Sequence, residues 1–302
     1  MILVAGGTGF VGSGIVRELA RRGKEVTVLT RDAGRAPGRF SGLAVEYRQG
    51  DVRNVDNLGS AVRDAEVVIG CAQFPGSPME NQGRGYTFAE IDAAGTERLV
   101  RAAKEAGVSR YIYLSGAGAA PDAEYHWFRA KWRAETAVRE SGIHYVIFRP
   151  SWVYGPEDVS LNRFLGMSRF LPFVPMIGDG NRQRLQPVFV DDVARAVAEA
   201  VDSSAVENEV LEIGGPDVLT MNEIVRTALQ VAGRRRLLLS APKGLMKLLA
   251  TVLRRLPGPP LTPDAIEFIT QDALADPAEV QSKLGVTVTP LPEALATYLA
   301  PR

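Results

Sequence analysis

Three glycines near the start of the chain have the spacing of a phosphate-binding turn. Gly6, Gly9 and Gly12 follow the apolar, β-branched run 2–4 and open the helical pattern 10–22. In this order the first glycine permits a tight turn, the second lets the backbone approach a pyrophosphate, and the third lets the helix pack closely on the strand. Free amides at the helix N-terminus point their partial positive charge at the phosphates. The pattern predicts a dinucleotide site, and the residues that we assign to it are Gly6, Thr8, Gly9, Phe10, Val11 and Gly12.

The residue that follows the second predicted strand favours one dinucleotide over the other. A site for NAD normally has an acidic residue about 20 residues beyond the glycines, which accepts hydrogen bonds from the ribose 2′-hydroxyl. Here the run 26–29 leads to Arg31, and a guanidinium can bind a 2′-phosphate through two hydrogen bonds. We therefore predict NADP in preference to NAD; the alternative is that Arg31 is only solvated and that Asp32 reaches the ribose. Asp51 and Val52, after the third predicted strand, are expected beside the adenine, unless they form only a capped turn.

The elements that must position these residues are buried strands that alternate with amphipathic helices. The helical patterns 10–22 and 88–106 lie between strand-like runs that are apolar and rich in β-branched residues. Those runs are 2–4, 26–29, 45–47, 67–69, 111–114 and 145–148. Strands buried on both faces and separated by crossover helices predict an α/β fold, a Rossmann-type doubly wound parallel sheet with a smaller, mostly helical C-terminal lobe.

The alternating rhythm breaks near residue 160, which suggests a domain boundary. Prolines and glycines between 172 and 180 mark loops, and a strand-like run 185–190 and a helix 194–201 follow. We assign residues 1–159 to the nucleotide-binding core, with 185–215 returning to it. Residues 160–184 and 216–302 form the predicted substrate lobe, which should close over the carboxyl ends of the strands, where ligands of open α/β sheets bind.

Composition argues against several classes of protein. Lys and Arg balance Asp and Glu at 35 each, so no net field favours nucleic acid or an acidic membrane. The single cysteine, Cys71, excludes an intramolecular disulfide, and with two histidines no zinc-ligand spacing can be assembled, so we expect no metal. A reducing, cytoplasmic setting is the simplest interpretation. The early first strand leaves no room for a signal peptide, and no apolar run approaches the ~20 residues of a spanning helix.

With these residues in view, the chain resembles the short-chain dehydrogenase/reductase superfamily, in its extended and atypical branches. The likeness covers nearly the whole length. Besides the glycine run it rests on Ile91-Asp92-Ala93-Ala94-Gly95-Thr96, Leu114-Ser115-Gly116-Ala117, Arg149-Pro150-Ser151-Trp152-Val153-Tyr154-Gly155-Pro156 and Pro187-Val188-Phe189-Val190-Asp191-Asp192-Val193-Ala194. The late segments Leu261-Thr262-Pro263-Asp264 and Pro290-Leu291-Pro292-Glu293-Ala294-Leu295 resemble the group that contains the nucleotide-binding accessory subunit of respiratory complex I. That resemblance implies NAD(P) binding more strongly than it implies catalysis.

The catalytic motif of the superfamily is altered in this chain. Active members generally carry Tyr-x-x-x-Lys, in which the tyrosine exchanges a proton with the substrate and the lysine holds the nicotinamide ribose. The matching stretch is Trp127-Phe128-Arg129-Ala130-Lys131. An indole N–H donates a hydrogen bond but does not titrate near neutral pH, so Trp127 can orient a substrate and cannot serve as its acid. Lys131, on the same helix face, resembles the ribose-binding lysine, and in isoflavone-reductase-like members the lysine is thought to act as acid or base; a solvated helix lysine is the alternative.

Three further side chains near this motif are candidates for catalysis. Ser115 matches the hydroxyl with which the family polarises the substrate, or it satisfies a loop amide. Tyr125 and His126 could replace the missing acid, although a surface or packing role is the default for both. In a continuous helix Tyr125 would face the side opposite to Trp127.

Two other segments complete the predicted cofactor site. The resemblance places the stretch after the sixth strand beside the nicotinamide, and from it we assign Pro150, Ser151 and Val153. Pro150 would fix the turn. Cys71 and Ala72, which follow the fourth strand, are assigned to the same site.

A late amphipathic helix raises the question of a lipophilic partner. Residues 242–256 combine an apolar face with a basic edge and precede a proline-rich run. Such a helix could rest on a membrane surface and admit a lipophilic substrate, or it could cover a substrate pocket or pack within the lobe.

These observations give three functional hypotheses. The first is an NADP-dependent reductase of an apolar carbonyl or a quinone-like acceptor, because an acceptor that draws its proton from water or from Lys131, such as a quinone, would tolerate the loss of the tyrosine. The alternative is a non-catalytic NAD(P)-binding sensor or assembly subunit. The third is a sugar-nucleotide epimerase or dehydratase, suggested by the Arg-Pro-x-x-Val-Tyr-Gly-Pro run, for which the usual proton relay is absent.

Overall fold

The fold is built on a parallel sheet whose strands come mostly from the first half of the chain. A computed structural model describes residues 1–34, 37–178, 180–253 and 262–300. The elements of the first half are β1 (Ile2–Ala5), α1 (Phe10–Arg21), β2 (Val26–Thr30), β3 (Val45–Gln49), α2 (Leu58–Val62), β4 (Val67–Gly70), a π-helix (Phe88–Gly95), α3 (Thr96–Glu105), β5 (Arg110–Leu114), α4 (His126–Arg139) and β6 (His144–Pro150). Single 3-10 turns lie at Pro37–Phe40, Val55–Asn57, Gln82–Arg84 and Ser204–Val206.

The second half adds one strand to this sheet and builds a lobe of helices and short strands. Its elements are β7 (Val153–Tyr154), α5 (Ser160–Phe170), β8 (Phe173–Ile177), β9 (Arg184–Leu185), β10 (Val188–Phe189), α6 (Val190–Asp202), β11 (Glu209–Ile213), β12 (Leu219–Thr220), α7 (Met221–Val231), β13 (Leu237–Ala241), α8 (Lys243–Leu253), α9 (Pro263–Ile269), α10 (Ala278–Leu284) and α11 (Leu291–Leu299).

The central sheet has seven parallel strands in the order β11-β6-β5-β4-β1-β2-β3. The chain moves outward from β1 to β3 and returns to β4 on the other side of β1, so the order reverses between β1 and β4. Ligands of open α/β sheets bind at such a switch point. The predicted Rossmann-type doubly wound sheet is confirmed.

Helices cover both faces of the sheet, because the strands are apolar on both. All four residues of β1 and of β4 are buried. On one face, Ile15 of α1 and Val197 of α6 belong to the same apolar cluster as Val28 of β2. On the other face, Leu99 of α3 and Val138 of α4 join a second apolar cluster. Burial on two faces is the reason that the strands read as continuous apolar runs in the sequence.

Two predicted elements differ from the structure at their boundaries. The helix expected over 88–106 begins as a π-helix and becomes α-helical only at Thr96. At the junction Gly95 lies against Val52, where a Cβ atom would come within 2.9 Å of Val52 Cγ2. The strand expected over 185–190 is two short strands, since Pro187 between them has no N–H to donate to a ladder, and α6 begins at Val190.

The late amphipathic helix, α8, begins at Lys243, and the structure describes it as far as Leu253. Residues 254–256 of the predicted helix, like Leu261 of the late motif, lie outside the described residues. Part of the basic edge is neutralised, because Lys243 and Lys247 both pair with Glu267 of α9. The outer face of α8 is apolar, with Leu245, Leu248, Leu249 and Val252 between 46% and 63% exposed.

None of the helices that the structure describes is both long enough and apolar enough to span a bilayer. The predicted cytoplasmic location stays a prediction.

Candidate functional site

The turn between β1 and α1 forms a cradle that only glycine permits. Gly6 has φ +88°, and a Cβ there would lie 2.5 Å from the carbonyl oxygen of Cys71. A Cβ on Gly12 would overlap the Gly6 carbonyl oxygen. The Gly9 amide donates to that same oxygen at 2.9 Å, and Gly9 is the N-cap of α1. Thr8, Phe10 and Val11 lie in the same half-buried turn. This cradle at the switch point fits a pyrophosphate, because backbone amides and a helix N-terminus meet where side chains are absent.

Cys71 and Ala72 follow β4 and form the opposite wall of this cradle. The Cys71 thiol donates a hydrogen bond to the Ala5 carbonyl oxygen at 3.1 Å. Burial raises the pKa of the Cys71 thiol to about 12, so it stays protonated and is not a nucleophile. The Ala72 amide nitrogen lies 2.6 Å from the position that a Cβ on Gly6 would take. Both residues therefore act through their backbone and their small size.

At the adenosine end, the arginine predicted to select the dinucleotide contacts a tyrosine from another loop. Arg31 is exposed, its Nη1 donates to the Tyr86 hydroxyl at 3.1 Å, and its guanidinium carbon lies 5.8 Å from the Tyr86 ring centroid. Among the described residues Arg31 forms no ion pair. The carboxylate of Asp32 accepts a hydrogen bond from the Gly34 amide at 3.1 Å.

The other two residues predicted at the adenine are held by different contacts. Asp51 accepts hydrogen bonds from the Arg53 guanidinium, the shortest at 2.6 Å, and from the Arg53 amide at 2.9 Å. Burial alone would raise the pKa of Asp51, but the hydrogen bonds and charge of Arg53, with the charge of Arg31, bring it below its ordinary value. Asp51 is therefore an anion that orients Arg53. Val52 is buried beneath the π-helix.

Lys131 is held in a buried ion pair. Its Nζ lies 2.8 Å from the Asp92 carboxylate, which is fully buried, and donates to the Leu114 carbonyl oxygen at 3.3 Å. The same ammonium lies 5.4 Å from the ring centroid of Tyr113. Burial alone would lower the pKa of Lys131, but Asp92 and Tyr113 raise it above the ordinary lysine value. Lys131 is consequently a fixed cation, which suits a ribose-binding role and opposes the acid or base role that the sequence leaves open.

Trp127 lies in an aromatic cluster rather than at an open surface. It is 4% exposed, and the ring of Phe268 from α9 lies 5.3 Å from it, between centroids. The Tyr125 ring stacks on Trp127 at 4.6 Å with an interplanar angle of 9°. Among the described residues the Trp127 Nε1–H has no hydrogen-bond partner. An unpaired buried donor is costly, and a ligand oxygen could accept from this N–H only if the aromatic cluster around it opened.

The position of Tyr125 corrects one expectation from the sequence. A continuous helix would turn Tyr125 away from Trp127, but α4 begins at His126, and Tyr125 has the extended backbone of an N-cap residue. Its ring is therefore free to fold back onto the indole. The next residue, His126, has its Nε2 3.1 Å from a carboxylate oxygen of Glu80.

Ser115 donates its proton within a buried network. Its hydroxyl donates to Glu135 Oε1 at 2.6 Å, and Glu135 is fully buried. The same carboxylate accepts from Arg149 at 2.8 and 2.7 Å and from Arg139 at 2.6 Å. Because the two arginines donate to both oxygens of this carboxylate, the Ser115 hydroxyl is the donor in its contact with Glu135. The Ser115 hydroxyl can therefore accept a further hydrogen bond, but its proton is not directed at a substrate carbonyl.

The segment predicted beside the nicotinamide links the sheet to the lobe. Pro150 ends β6 opposite Ile213 of β11, and the Ser151 amide donates to the Ile213 carbonyl at 3.1 Å. The Ser151 hydroxyl donates to the Gln186 carbonyl oxygen. Val153 lies in β7 and pairs with Val188. These contacts fix the backbone at the carboxyl end of β6.

Four residues of the site were not predicted from the sequence. Asp92 and Glu135 are buried carboxylates on helices that read as ordinary amphipathic surfaces, although Glu135 lies four residues after Lys131 and so on the same face. Tyr113 is one of several apolar residues of β5. Tyr86 lies in a loop without any recognisable motif. Each gains its role from a residue distant in the chain.

Comparison with known proteins agrees with this geometry. Residues 6–204 match the family described as NAD(P)H-binding. The chain is 33% identical, over 227 residues and 73% of its length, to the mitochondrial NADH dehydrogenase [ubiquinone] 1 alpha subcomplex subunit 9 of Arabidopsis thaliana. The match covers 55% of that protein, so the chain spans about half the length of this relative.

Two further similarities concern reductases. The chain is 27% identical to the NAD(P)H azoreductase of Xenophilus azovorans, with 78% of this chain and 74% of that protein covered. Its fold matches that of an NADPH-dependent quinone oxidoreductase of Escherichia coli, solved with NADPH, with a TM-score of 0.75, 18% identity, and 98% and 99% of the two chains covered. At that identity the second similarity concerns the fold alone.

Proposed function

Because the chain belongs to the NAD(P)H-binding family, within the atypical branch of the short-chain dehydrogenase/reductase superfamily, we propose that it is an NADP-dependent reductase of an apolar carbonyl or quinone-like acceptor. One observation carries the proposal: a fixed cation, Lys131, lies one helical turn from a buried indole, Trp127, at the position of the usual acid. The site has the glycine turn and the lysine that would bind a nucleotide, but it lacks the tyrosine whose phenol would donate a proton to the substrate. An acceptor that takes its proton from water suits this arrangement.

The residues of the cradle and of α4 would bind and orient the nucleotide. The backbone around Gly6, Gly9 and Gly12 would hold the pyrophosphate, and Arg31 the 2′-phosphate. The Lys131 ammonium lies 2.8 Å from the Asp92 carboxylate and donates to the Leu114 carbonyl oxygen. In this position it would also donate to a hydroxyl of the nicotinamide ribose.

The proposed binding region for the acceptor is the apolar cluster around Trp127, whose indole N–H is a hydrogen-bond donor. When bound, a reduced nicotinamide supplies a hydride. Phe268, Phe88 and Tyr125 surround Trp127, and a flat conjugated ring packs well on such side chains. The Trp127 N–H would orient an acceptor oxygen, while solvent provides the proton that completes the two-electron reduction. The name of the azoreductase supports a reductase of this kind.

The experiment has two stages. Calorimetric titration with NADPH and with NADH first measures which nucleotide binds; we expect NADPH to bind more tightly. Anaerobic mixing of NADPH with menadione, followed by absorbance at ~340 nm, then measures turnover. We expect Lys131→Met to weaken NADPH binding about tenfold and to reduce turnover, whereas Lys104→Met, an exposed lysine of α3, should change neither.

A second candidate is a nucleotide-binding subunit without turnover. The hydrogen bond that the Ser115 hydroxyl donates to Glu135 favours this candidate, because the hydroxyl that polarises the substrate in the family is then not directed at a substrate. The similarity to a subunit of a mitochondrial NADH dehydrogenase supports the same interpretation. Tight NADPH binding together with a complete absence of NADPH oxidation by quinone, azo and carbonyl acceptors would establish this candidate and reject the reductase.

A further inference from the structure

Tyr86 lies between two arginines that come from the ends of neighbouring strands. The guanidinium carbon of Arg31, after β2, lies 5.8 Å from the Tyr86 ring centroid, and that of Arg53, after β3, lies 5.2 Å from it. Arg31 also donates a hydrogen bond to the Tyr86 hydroxyl at 3.1 Å. One phenol ring thus holds two cations at the same edge of the sheet by cation–π contact.

The backbone around Tyr86 is fixed, so the ring is a rigid platform. The Tyr86 amide donates to the Asn81 carbonyl at 3.0 Å, and the Asn81 amide donates to the Tyr86 carbonyl at 2.8 Å. The turn between them contains Gly85 with φ +65°, and the Asn81 side chain accepts from the Arg84 amide at 3.1 Å. A long arginine loses less freedom on binding a ligand when its guanidinium is already positioned.

The charges of this cluster leave one arginine open to an anion. Arg53 is paired with Asp51 through its Nη2, at 2.6 Å, and also donates to the Arg84 carbonyl at 3.0 Å. Arg31 forms no ion pair within the part of the chain that the structure describes, and the neighbouring Asp32 carboxylate accepts from the Gly34 amide. No carboxylate of the described residues pairs with Arg31, so its guanidinium is open to an anion at the adenosine end of the cradle. A guanidinium matches the geometry of a phosphate.

We propose that Tyr86 is the residue that determines the preference for NADP, by holding Arg31 and Arg53 where the phosphate on the adenosine ribose binds. This inference rests on the proposed function, since it presupposes an NADP site. It adds that the selectivity resides in a platform from the loop after β4 and not in Arg31 alone. Tyr86 is a specificity-determining residue here, and Arg53 is the second cation that it positions.

Fragments of the nucleotide test the platform without any turnover. Calorimetric titration with 2′,5′-ADP and with 5′-AMP compares ligands that differ by the 2′-phosphate. For Tyr86→Ala we expect binding of 2′,5′-ADP to weaken about tenfold, because both cation–π contacts and the hydrogen bond are lost, while binding of 5′-AMP changes less than about twofold. Tyr86→Phe keeps the ring and loses only the hydroxyl, so we expect a loss of roughly threefold.

Arg84→Ala is the matched control, because it removes an exposed charge from the same turn and leaves the platform. We expect it to weaken 2′,5′-ADP less than about twofold, and Arg53→Ala to weaken it about fivefold. If 2′,5′-ADP and 5′-AMP bind the wild-type protein equally, or if neither binds, both the NADP preference and this inference are overturned. If Arg31→Ala abolishes the preference and Tyr86→Ala leaves it unchanged, only the role of Tyr86 is wrong.

Discussion

The Lys131 ammonium and the Asp92 carboxylate lie 2.8 Å apart, with the carboxylate fully buried and the lysine side chain 17% exposed. Asp92 belongs to the π-helix that precedes α3, and Lys131 belongs to α4. The pair therefore joins two helices on one face of the sheet at the carboxyl end of β5. The pair raises the pKa of Lys131, so its ammonium stays protonated near neutral pH. The first two predictions below depend on this pair.

Asp92→Asn removes the negative charge and keeps the size of the side chain. We expect it to lower the free energy of unfolding by about 3 kcal/mol, because breaking a buried pair leaves an uncompensated charge. Urea unfolding of Asp92→Asn, Lys131→Met and the double variant measures the coupling. The double variant should lose less than the sum of the single losses, by more than ~1 kcal/mol; strictly additive losses would show that the two groups are not coupled.

The pair also determines how the contribution of Lys131 depends on pH. The pKa of Lys131 in the folded protein is raised above the ordinary value of 10.5. A raised pKa means that the stabilisation is complete below the ordinary pKa and is lost only as the pH rises through the folded value. We expect the difference in unfolding free energy between wild type and Lys131→Met to be constant from about pH 6.5 to about pH 9. A change with its midpoint inside this window would mean that Lys131 titrates there, or that Asp92, whose pKa burial raises, takes up a proton once Lys131 is removed. The comparison of wild type with the double variant, in which neither group is present, keeps the change only in the first case.

Gly12→Ala tests the phosphate cradle. The added Cβ would overlap the Gly6 carbonyl oxygen, so we expect a loss of at least ~2 kcal/mol of stability and at least tenfold weaker NADPH binding in calorimetry. Gly59→Ala makes the same change in another helix, α2, where no atom lies within 4 Å of the new Cβ. That control should be neutral or stabilise by about 0.5 kcal/mol. Equal effects of the two substitutions would argue against a close approach at Gly12.

Trp127→Tyr restores the usual Tyr-x-x-x-Lys motif. Its control is Trp127→Phe, because phenylalanine has nearly the volume of tyrosine but no hydroxyl. Both remove part of a buried indole, and we expect each to cost about 2 kcal/mol of stability. A phenol one helical turn from the Lys131 cation can act as a proton donor, whereas a phenyl ring cannot. We expect Trp127→Tyr alone to gain NADPH-dependent reduction of simple ketones. Gain in both variants, or in neither, would mean that residue 127 does not face the reacting atoms.

The parallel sheet and the phosphate turn were predictable from the sequence because each depends on local pattern. Burial on both faces of the sheet requires apolar runs such as 67–69, and the close approach of the backbone at the first turn requires Gly6 and Gly12. The break in the predicted strand at Pro187 and the π-helix before Thr96 were missed. Both depend on how one segment packs on another, which a periodicity does not record.

The candidate site, too, was predictable from the sequence only in part. By itself the sequence determined that Lys131 shares a helix face with a tryptophan that cannot donate a proton at neutral pH, because residue type and helical spacing suffice for that. Only the tertiary structure decided that Asp92, 39 positions earlier in the chain, fixes the charge of this lysine, that Glu135 takes the Ser115 proton, and that Tyr86 holds Arg31. Hydrogen bonds and ion pairs between distant segments act over a few ångströms, and the fold alone brings those segments together.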